Sequence, residues 1–301
     1  MFTQTTHVYK VASGCDIHAE VYRSPDQEVR PVIFFLHGGA LIIGNRFNMP
    51  EDQVEFYIDH GFAVVSIDYR LATQVKFEDV VEDIEDGYKW VVEKGPELFQ
   101  IDPQRIVTVG HSVGGFLSLL FGFRVSPRPK VVSSFHGYGD PTGDWLSRPW
   151  DYYIENKPSF SREEAFKGMQ GPVISGTAHE GPECDARETF YFYCRQQGLW
   201  PKELTGHCPH EEPEWFDRFV PLRNVTKDFP PTIFVHGVDD FDVPIEQPHE
   251  MMQELDRHGV PNELAAVPDR GHAFDHEGDG MKDPVIKDAF EKFIAFVTKY
   301  V

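Results

Sequence analysis

Short apolar runs of strand length alternate with amphipathic segments of helical periodicity over most of this chain. The apolar runs predict strands, and several are continuous enough to be buried on both faces. They lie at 7–12, 17–23, 31–37, 62–69, 105–110, 131–137, 232–237 and 263–268. The helical periodicity predicts helices at 50–60, 80–94, 113–124, 246–258 and 284–299, with Gly95-Pro96 ending the second of them.

Strands that alternate with helices in this way indicate an α/β protein with a mostly parallel sheet. We predict about eight strands, with helices on both faces of the sheet and an opening hairpin. The rhythm stops between 138 and 228, where prolines, glycines and aromatic residues are scattered with weak periodicity. We therefore predict a core formed by residues 1–137 and 229–301, interrupted by an inserted helical cap at 138–228.

Composition and charge mainly exclude certain classes of partner. The 301 residues are 41% hydrophobic, which is enough for a sizeable core, and they carry a formal net charge of −21. Nucleic acid or an anionic membrane would require clustered Lys and Arg, so we expect neither a nucleic-acid partner nor stable membrane association. The four cysteines form no CxxC pair and the first residues show no secretory signal, which predicts free thiols and a cytoplasmic location. The oligomeric state stays open, a homodimer included.

A candidate nucleophile stands between the strand at 105–110 and the helix at 113–124. The segment GHSVG (110–114) matches the G-x-S-x-G pattern in the context that it requires, a strand followed by a sharp turn and a helix. Its small residues let the turn tighten, and the helix directs its free N–H groups at the serine. We predict that Ser112 is a nucleophile; the alternative is an ordinary glycine-rich turn.

The best candidate for the base that takes the serine proton is His272. It lies on the loop that follows the strand at 263–268, between two small residues that leave room for the ring. The competing histidine is His276, four residues further on and set among acids, which we expect at the surface.

The base in turn needs a carboxylate that holds its tautomer. Three aspartates follow the next-to-last predicted strand. We predict that Asp240 has this role, whereas Asp239 and Asp242 cap the next helix or meet solvent. The candidate residues then follow the chain order Ser112, Asp240, His272.

Four motifs in this order resemble those of the α/β-hydrolase superfamily over nearly the whole chain. They are HGGA (37–40), DYRLA (68–72), GHSVGG (110–115) and the two loops that carry Asp240 and His272. Within the superfamily the chain is most similar to the hormone-sensitive-lipase-like (fold-3) esterases. The resemblance implies the α/β-hydrolase fold, a carboxylesterase-like activity of class EC 3.1.1, and no cofactor.

The segment FFLHGGALIIGNR (34–46) places backbone with little side chain directly after a buried strand. A tight turn would explain its glycines. In the family resembled, this loop supplies N–H donors for an oxyanion, together with the residue after the nucleophile. These positions carry over to Gly38, Gly39, Ala40 and Val113, and we expect the N–H groups of the last three to act. Ala40 departs from the family's third glycine but keeps the backbone donor.

The predicted cap is rich in aromatic residues, and cap elements often shape the substrate pocket in the family resembled. The candidate substrate-binding residues are therefore Trp145, Trp150, Tyr152 and Tyr153, with Phe190, Tyr191, Phe192 and Trp200 further along. The alternative is that most of them form a small core of the cap itself.

Two segments contain side chains that could bind a metal, HCPHEE (207–212) and DHEGDG (275–280). The first lacks the second ligand segment that zinc sites usually have, and the second lacks the glutamate at position twelve of an EF-hand loop. We therefore expect no metal site, and we interpret the second segment as a solvated acidic loop.

Together these observations predict a serine hydrolase that cleaves a small-molecule ester through an acyl-enzyme. Peptidase or amidase chemistry stays open, since no residue excludes it. So does a biosynthetic enzyme that uses the same site for acyl transfer, lactonisation or elimination. The alternative of a different class is a non-catalytic small-molecule-binding protein on the same fold, which often lacks one of the three catalytic residues.

Overall fold

Eight strands form one sheet in the computed structural model, which describes residues 2–178, 180–276 and 278–301. The strands are β1 Thr3–Ala12, β2 Cys15–Arg23, β3 Arg30–Leu36, β4 Ala63–Ile67, β5 Ile101–His111, β6 Val131–Phe135, β7 Thr232–Gly237 and β8 Asn262–Val267. Their order is β1-β2-β4-β3-β5-β6-β7-β8. Pairing is antiparallel between β1 and β2 and between β2 and β4, and parallel elsewhere. The predicted α/β class and mostly parallel sheet are confirmed.

Helices cover both faces of this sheet. The described α-helices are α1 Glu51–Asp59, α2 Phe77–Phe99, α3 Val113–Arg124, α4 Asp144–Ser147, α5 Asp151–Asn156, α6 Arg162–Lys167, α7 Pro182–Gln197, α8 Trp200–Thr205, α9 Pro213–Phe216, α10 Glu246–Arg257 and α11 Pro284–Val297. Short 3₁₀ helices lie at Asp217–Phe219, Pro221–Arg223 and Gly280–Lys282.

Strand β3 shows why both faces have to be covered. Val32, Phe34 and Leu36 belong to one hydrophobic cluster, together with residues of α2 and α3. Ile33 and Phe35 belong to a second cluster, together with residues of α1 and α11. All five side chains are fully buried. Because successive side chains of a strand point to opposite faces, a strand that is apolar on both requires a helical layer on each side.

One predicted boundary is wrong: the helix expected to end at Gly95-Pro96 continues to Phe99 as α2. Proline so near the end removes only one hydrogen bond of the final turn. A Cβ on Gly95 would lie 2.6 Å from Ile101 Cδ1, so the glycine lets the start of β5 pack directly against the helix. Phe99 and Ile101 are both buried, and this packing outweighs the low helix propensity of the pair.

The segment between β6 and β7 is helical, as expected for the predicted insertion, and its described residues form no strand. Its apolar side chains Leu146, Phe190 and Trp200 belong to the same hydrophobic cluster as the sheet face under α2 and α3. The helices of this segment therefore share a core with the sheet. The domain boundaries at 138 and 228 stay a prediction.

The helices and cysteines add two observations. Within the described ranges, no helix has both the length and the apolar character needed to cross a bilayer. No disulfide joins the four cysteines, all of which lie in the part of the chain that the structure describes.

The DYRLA motif leads to a prediction about stability. Arg70 is buried, and its Nε and one terminal nitrogen donate to the two carboxylate oxygens of Asp83 at 2.7 and 2.8 Å. We expect Arg70→Ala to lower the free energy of unfolding by about 3 kcal/mol or more, because it leaves a fully buried carboxylate with Lys10 as its remaining cation. Urea unfolding followed by circular dichroism measures this loss.

The matched control is Lys89→Ala, which removes an exposed ion pair with Glu93 at 4.0 Å. Surface pairs of this kind contribute about 0.5 kcal/mol or less. Equal losses for the two variants would contradict a structural role of the buried pair.

Candidate active site

Ser112 lies at the sharp turn between β5 and α3. Its backbone angles, φ 55° and ψ −121°, are strained for a residue that has a side chain. Glycines make the turn possible: a Cβ on Gly110 would lie 1.9 Å from the carbonyl oxygen of Gly114, and one on Gly114 would lie 2.1 Å from that of Leu36. This close crossing of backbones positions Ser112 just beyond the carboxyl end of β5.

His272 and Asp240 reach Ser112 from the loops after β8 and β7. His272 Nε2 lies 2.9 Å from Ser112 Oγ, and its Nδ1 lies 2.8 Å from Asp240 Oδ2. The other oxygen of Asp240 accepts hydrogen bonds from the N–H groups of Asp242 and Val243, each at 2.9 Å. With Nδ1–H donating to Asp240, Nε2 is free to accept the serine proton. The structure thus brings together the three residues that the sequence singled out.

The charges around His272 favour its protonated form. Burial alone would lower the pKa of His272, but the carboxylates of Asp240 and Asp242 raise it to about 8. Burial also works against the charge on Asp240, yet His272 and His236 hold the pKa of that carboxyl well below its usual range. Asp240 is therefore ionised, and its negative charge would stabilise an imidazolium formed when a proton moves from Ser112 to His272.

Asp242 has a role that the sequence analysis missed. It neither caps a helix nor simply meets solvent: its Oδ1 accepts hydrogen bonds from Tyr153 and Tyr191, at 2.7 and 2.6 Å, and from the buried Arg195. Its Oδ2 lies 3.6 Å from His272 Nε2. Asp242 therefore links the segment between β6 and β7 to His272. Its partners lie 47 to 89 residues away, which is why no local pattern reveals them.

A second buried network supports Ser112 from its backbone. The Ser112 N–H donates to the carbonyl of Phe135 at 2.9 Å and to His136 Nδ1 at 3.1 Å. His136 Nε2 in turn donates to Asp275 Oδ1 at 2.9 Å, and His111 Nδ1 lies 3.3 Å from Asp275 Oδ2. Burial lowers the pKa of His136 to about 4 and that of His111 to about 3, so both rings are neutral. The sequence could have indicated this network, because both histidines lie at the carboxyl ends of neighbouring parallel strands.

The loop after β3 approaches Ser112 closely. A Cβ on Gly38 would lie 3.3 Å from Ser112 Cβ. Gly39 and Ala40 both have positive φ, 92° and 52°, and the carbonyl of Gly39 accepts a hydrogen bond from the Ile43 N–H at 2.8 Å. The turn that begins at Gly39 therefore directly follows Gly38, the residue that packs against Ser112.

The candidate oxyanion donors are the N–H groups of Gly39, Ala40 and Val113. None of them donates a hydrogen bond to a described residue. Gly39 and Ala40 line the cavity over Ser112, and Val113 is the first residue of α3, where helix N–H groups have no partner within the helix.

A cavity of about 300 Å³ opens over Ser112. Beside the backbone of the loop after β3, its polar lining includes Asn48, Glu188, Tyr191 and Asp242. Its described lining contains two acids and neither Lys nor Arg, which disfavours an anionic ligand. The volume is at the lower end for ligand sites, so the cavity suits a small group.

The structure places elsewhere the four aromatic residues predicted to bind substrate, Trp145, Trp150, Tyr152 and Tyr153. The first is buried in the hydrophobic cluster of the sheet, and the last donates to Asp242. The middle two border a separate cleft together with Phe241. None of the four lines the cavity over Ser112, because they pack the segment between β6 and β7 onto the sheet and its loops, and their binding of substrate stays a prediction. Of the aromatic residues considered, Tyr191 does line the cavity.

The two metal-capable segments differ in their outcome. His207 pairs with Glu212 at 3.0 Å, and the described residues add no third ligand to this segment. In the segment expected to be a solvated acidic loop, Asp275 is only 1% exposed, which corrects that expectation. Glu277, from the same segment, lies outside the described residues.

Two family models match different parts of the chain. The model described as BD-FAE matches residues 19–133, and that of the prolyl oligopeptidase family matches residues 185–301. The first range includes Ser112, and the second includes Asp240 and His272. Neither model is that of the hormone-sensitive-lipase-like branch, which stays a prediction.

Among curated proteins the chain is similar to parts of fungal synthases. The non-reducing polyketide synthase adrD of Penicillium roqueforti is 26% identical over an alignment of 345 residues, gaps included, that covers 100% of this chain. Methylphloroacetophenone synthase of Cladonia uncialis is 24% identical over 311 residues, which cover 89% of this chain. The chain spans only 14% and 12% of the length of these two relatives.

Solved structures share the fold at low sequence identity. A Staphylococcus aureus protein of unknown function has a TM-score of 0.78 at 20% identity, with 99% of both chains covered. An alpha/beta hydrolase superfamily protein from Enterococcus faecalis has a TM-score of 0.75 at 21% identity, again with 99% of both chains covered. A thermophilic esterase from Thermogutta terrifontis has a TM-score of 0.64 at 21% identity, covering 98% of this chain and 91% of the esterase.

Proposed function

We propose that this chain, a member of the α/β-hydrolase superfamily, is a serine hydrolase that cleaves small carboxylic esters through an acyl-enzyme. The observation that carries the proposal is the hydrogen-bonded chain from Ser112 Oγ through His272 to Asp240, at 2.9 and 2.8 Å. A serine that is aligned with a base, itself held by an ionised carboxylate, is activated for attack on a carbonyl carbon.

In the proposed reaction, His272 Nε2 takes the proton of Ser112 as Oγ attacks the ester carbonyl. The bond to the leaving oxygen then breaks, and His272 passes its proton to the departing alcohol. Water attacks the acyl-enzyme with the same histidine as base, which releases the acid and restores Ser112. Asp240 stays ionised throughout and stabilises the imidazolium.

The N–H groups of Gly39, Ala40 and Val113 are proposed to hold the negative oxygen of the tetrahedral intermediates. Donors that are already in place need no reorganisation when the charge develops, and removing one typically costs about 10²–10³ in rate. The position of Gly38 close against Ser112 supports this assignment, because it places the start of the donor loop beside the attacking oxygen.

The cavity supports a short and uncharged acyl group. Its volume of about 300 Å³ is at the lower end for ligand sites and leaves little room for a long chain. Leu41, which follows the proposed donor Ala40, faces a separate apolar void of only about 30 Å³, together with Phe116 and Tyr138. That void has room for little more than one water.

The proposed activity is tested with matched substrates that differ in one bond. We expect p-nitrophenyl acetate and butyrate to be hydrolysed faster than the octanoate, and the matching p-nitroanilides at least about 100-fold more slowly than the esters. Comparable turnover of the anilides would favour a peptidase, which the match to the prolyl oligopeptidase family keeps open. If the enzyme turned over neither series, the proposed ester hydrolysis would be wrong.

The raised pKa of His272 predicts the pH dependence. The histidine must be neutral to accept the serine proton, and it becomes protonated below its pKa of about 8. We therefore expect kcat/KM to rise with pH along a limb centred near 8 and to level off above it. Initial rates at low substrate concentration over pH 5–10 measure the limb.

The comparison variant is Asp242→Asn, which removes one carboxylate near His272 Nε2. The limb should then move to lower pH, because the imidazolium loses a negative charge that stabilises it and the pKa of His272 falls. Because the substitution also removes the carboxylate that pairs with Arg195, thermal unfolding of the variant checks that the fold is intact. An unchanged limb in a folded variant would contradict the role assigned to Asp242.

A second candidate function is cleavage of an acyl thioester, with transfer of the acyl group to water or to an alcohol. The similarity to parts of polyketide synthases, over 100% of this chain for one of them, favours it. The two acids in the cavity would disfavour a phosphate-bearing thiol close to Ser112. Hydrolysis of butyryl-N-acetylcysteamine beside ethyl butyrate compares the two functions on one acyl group, and a clear preference for the thioester would favour the second.

A further inference from the structure

A cluster at the edge of the cavity brings together three side chains that can bind a metal ion, His111, Asp275 and His276. His111 Nδ1 lies 2.8 Å from His276 Nε2 and 3.3 Å from Asp275 Oδ2, and the His276 nitrogen lies 3.8 Å from the same oxygen. Among the described residues this is the one group of three potential ligands whose atoms converge. Two imidazole nitrogens that face each other at this distance share one proton, and a metal ion can take the place of that proton.

The three separations match one face of a tetrahedron. Zinc binds histidine nitrogen and carboxylate oxygen at about 2.0–2.2 Å, so tetrahedral ligand atoms lie about 3.3–3.6 Å from each other. The observed distances of 2.8, 3.3 and 3.8 Å scatter around that value. One ion can therefore reach all three atoms after shifts of about 0.5 Å.

The surroundings hold Asp275 in the way that metal sites hold their carboxylate ligands. His136 Nε2 donates to Oδ1 at 2.9 Å, and Gln53 Nε2 donates to Oδ2 at 2.9 Å. Both partners are buried. Histidine binds a metal ion in its neutral form, so the three ligands together would contribute the single negative charge of Asp275 to a bound cation.

The open side of the cluster faces the cavity. His111 and His276 both line it, whereas Asp275 is buried behind them. A fourth ligand would come from the cavity, as water or as an oxygen of a bound molecule. Three protein ligands with one open position are typical of catalytic zinc sites, whereas structural sites have four protein ligands.

We propose that His111 Nδ1, His276 Nε2 and Asp275 Oδ2 form a binding site for a divalent transition-metal ion of the zinc class, open to the cavity over Ser112. Two nitrogen ligands and one oxygen suit zinc, whereas Ca²⁺ and Mg²⁺ require mainly oxygen. Binding through Nδ1 leaves the proton of His111 on Nε2, which is buried and has no hydrogen-bond partner among the described residues. This cost limits the affinity, so we expect a dissociation constant of about 1 µM, weaker than that of a structural zinc site.

The test uses the full chain without a histidine tag, freed of metal by dialysis against a chelator. Calorimetric titration with ZnCl₂ should show one ion per chain, and titration with CoCl₂ should give the visible absorption of tetrahedral cobalt. His276→Gln removes one ligand at a side chain that is 31% exposed, so the fold should tolerate it. We expect this variant to raise the zinc dissociation constant at least about tenfold and to abolish the cobalt spectrum. Near-ultraviolet circular dichroism checks its fold.

The matched control is His207→Gln, in the other segment with metal-capable side chains. It should leave the zinc dissociation constant unchanged. The proposal is overturned if the wild type shows no saturable zinc binding, or if the folded His276→Gln variant binds zinc as the wild type does. Loss of binding in His207→Gln would also overturn it, because the ion would then lie at the other segment.

Discussion

Replacing Ser112 by alanine is expected to lower kcat for p-nitrophenyl butyrate by about 10⁶-fold, to the rate that the remaining site supports without a nucleophile. The variant retains His272 and Asp240 but has no oxygen that could form an acyl-enzyme. Because Ser112 Oγ lies 2.9 Å from His272 Nε2, its removal deletes one hydrogen bond and should leave the fold intact. A fluorophosphonate probe followed by intact-mass analysis measures the covalent step separately from turnover.

The control for this prediction is Ser159→Ala, at an exposed serine of the insertion. It should bind one probe per chain and hydrolyse esters at the wild-type rate. If Ser112→Ala still gained the probe's mass, another residue would be the nucleophile. If the wild type took the probe but hydrolysed no ester, the serine would be activated and the proposed substrate class would be wrong. If a folded wild type did neither, the protein would be better explained as a binding protein.

Replacing Asp240 by asparagine is expected to lower kcat by about 10⁴-fold. One oxygen of Asp240 accepts two backbone N–H groups at 2.9 Å, so the amide oxygen of the new asparagine will take that place. Its NH₂ group then faces His272 Nδ1 and requires an acceptor there. The imidazole proton would move to Nε2, where it blocks proton transfer from Ser112. Steady-state kinetics with p-nitrophenyl butyrate measure the loss.

Asp239→Asn provides a matched control, because Asp239 neighbours Asp240 in the chain but is exposed. Its kcat should stay within about twofold of the wild type, as expected for a surface substitution. An Asp240→Asn variant that is folded and retains more than about a tenth of the wild-type kcat would contradict the assigned role. Asp242 would then be the next candidate, since its Oδ2 lies 3.6 Å from His272 Nε2.

The lining of the cavity indicates which acyl groups the site could recognise. Four histidines, two acids and a tyrosine line the cavity over Ser112 and offer hydrogen-bonding groups to a bound molecule. An acyl group with hydroxyl or keto substituents could use these hydrogen-bonding groups. Comparing hydroxylated and plain short-chain esters would measure how much the polar lining contributes to kcat/KM.

The strands and most helices could be predicted from sequence because burial repeats with the period of the local structure. The apolar positions of β3 lie on both faces of the strand and therefore required a two-sided sheet. The end of α2 could not be predicted this way, because the contact of Gly95 with Ile101 depends on where β5 packs. Local propensity favoured an end at Gly95-Pro96, and tertiary packing carried the helix past it.

Ser112 and His272 could be singled out because each stands at a strand end with small neighbours, a pattern contained within a few residues. Asp240 was predicted over Asp239 and Asp242, although all three lie on the same short loop and no local pattern separates them. In the structure the three aspartates have different contacts. Asp240 accepts a hydrogen bond from His272 Nδ1, Asp242 accepts one from Arg195, and Asp239 is exposed.

The sequence by itself therefore determined the α/β class, the order of strands and helices along the chain and the segment that carries the proposed nucleophile. Each of these depends on residues that are neighbours in the chain. Only the tertiary structure decided which side chains surround Ser112, why Tyr191 lines its cavity while Trp145, Trp150 and Tyr152 do not, and how His111, Asp275 and His276 converge. His111 and His276 are 165 residues apart, and only the packing of the β8 loop against the end of β5 brings them together.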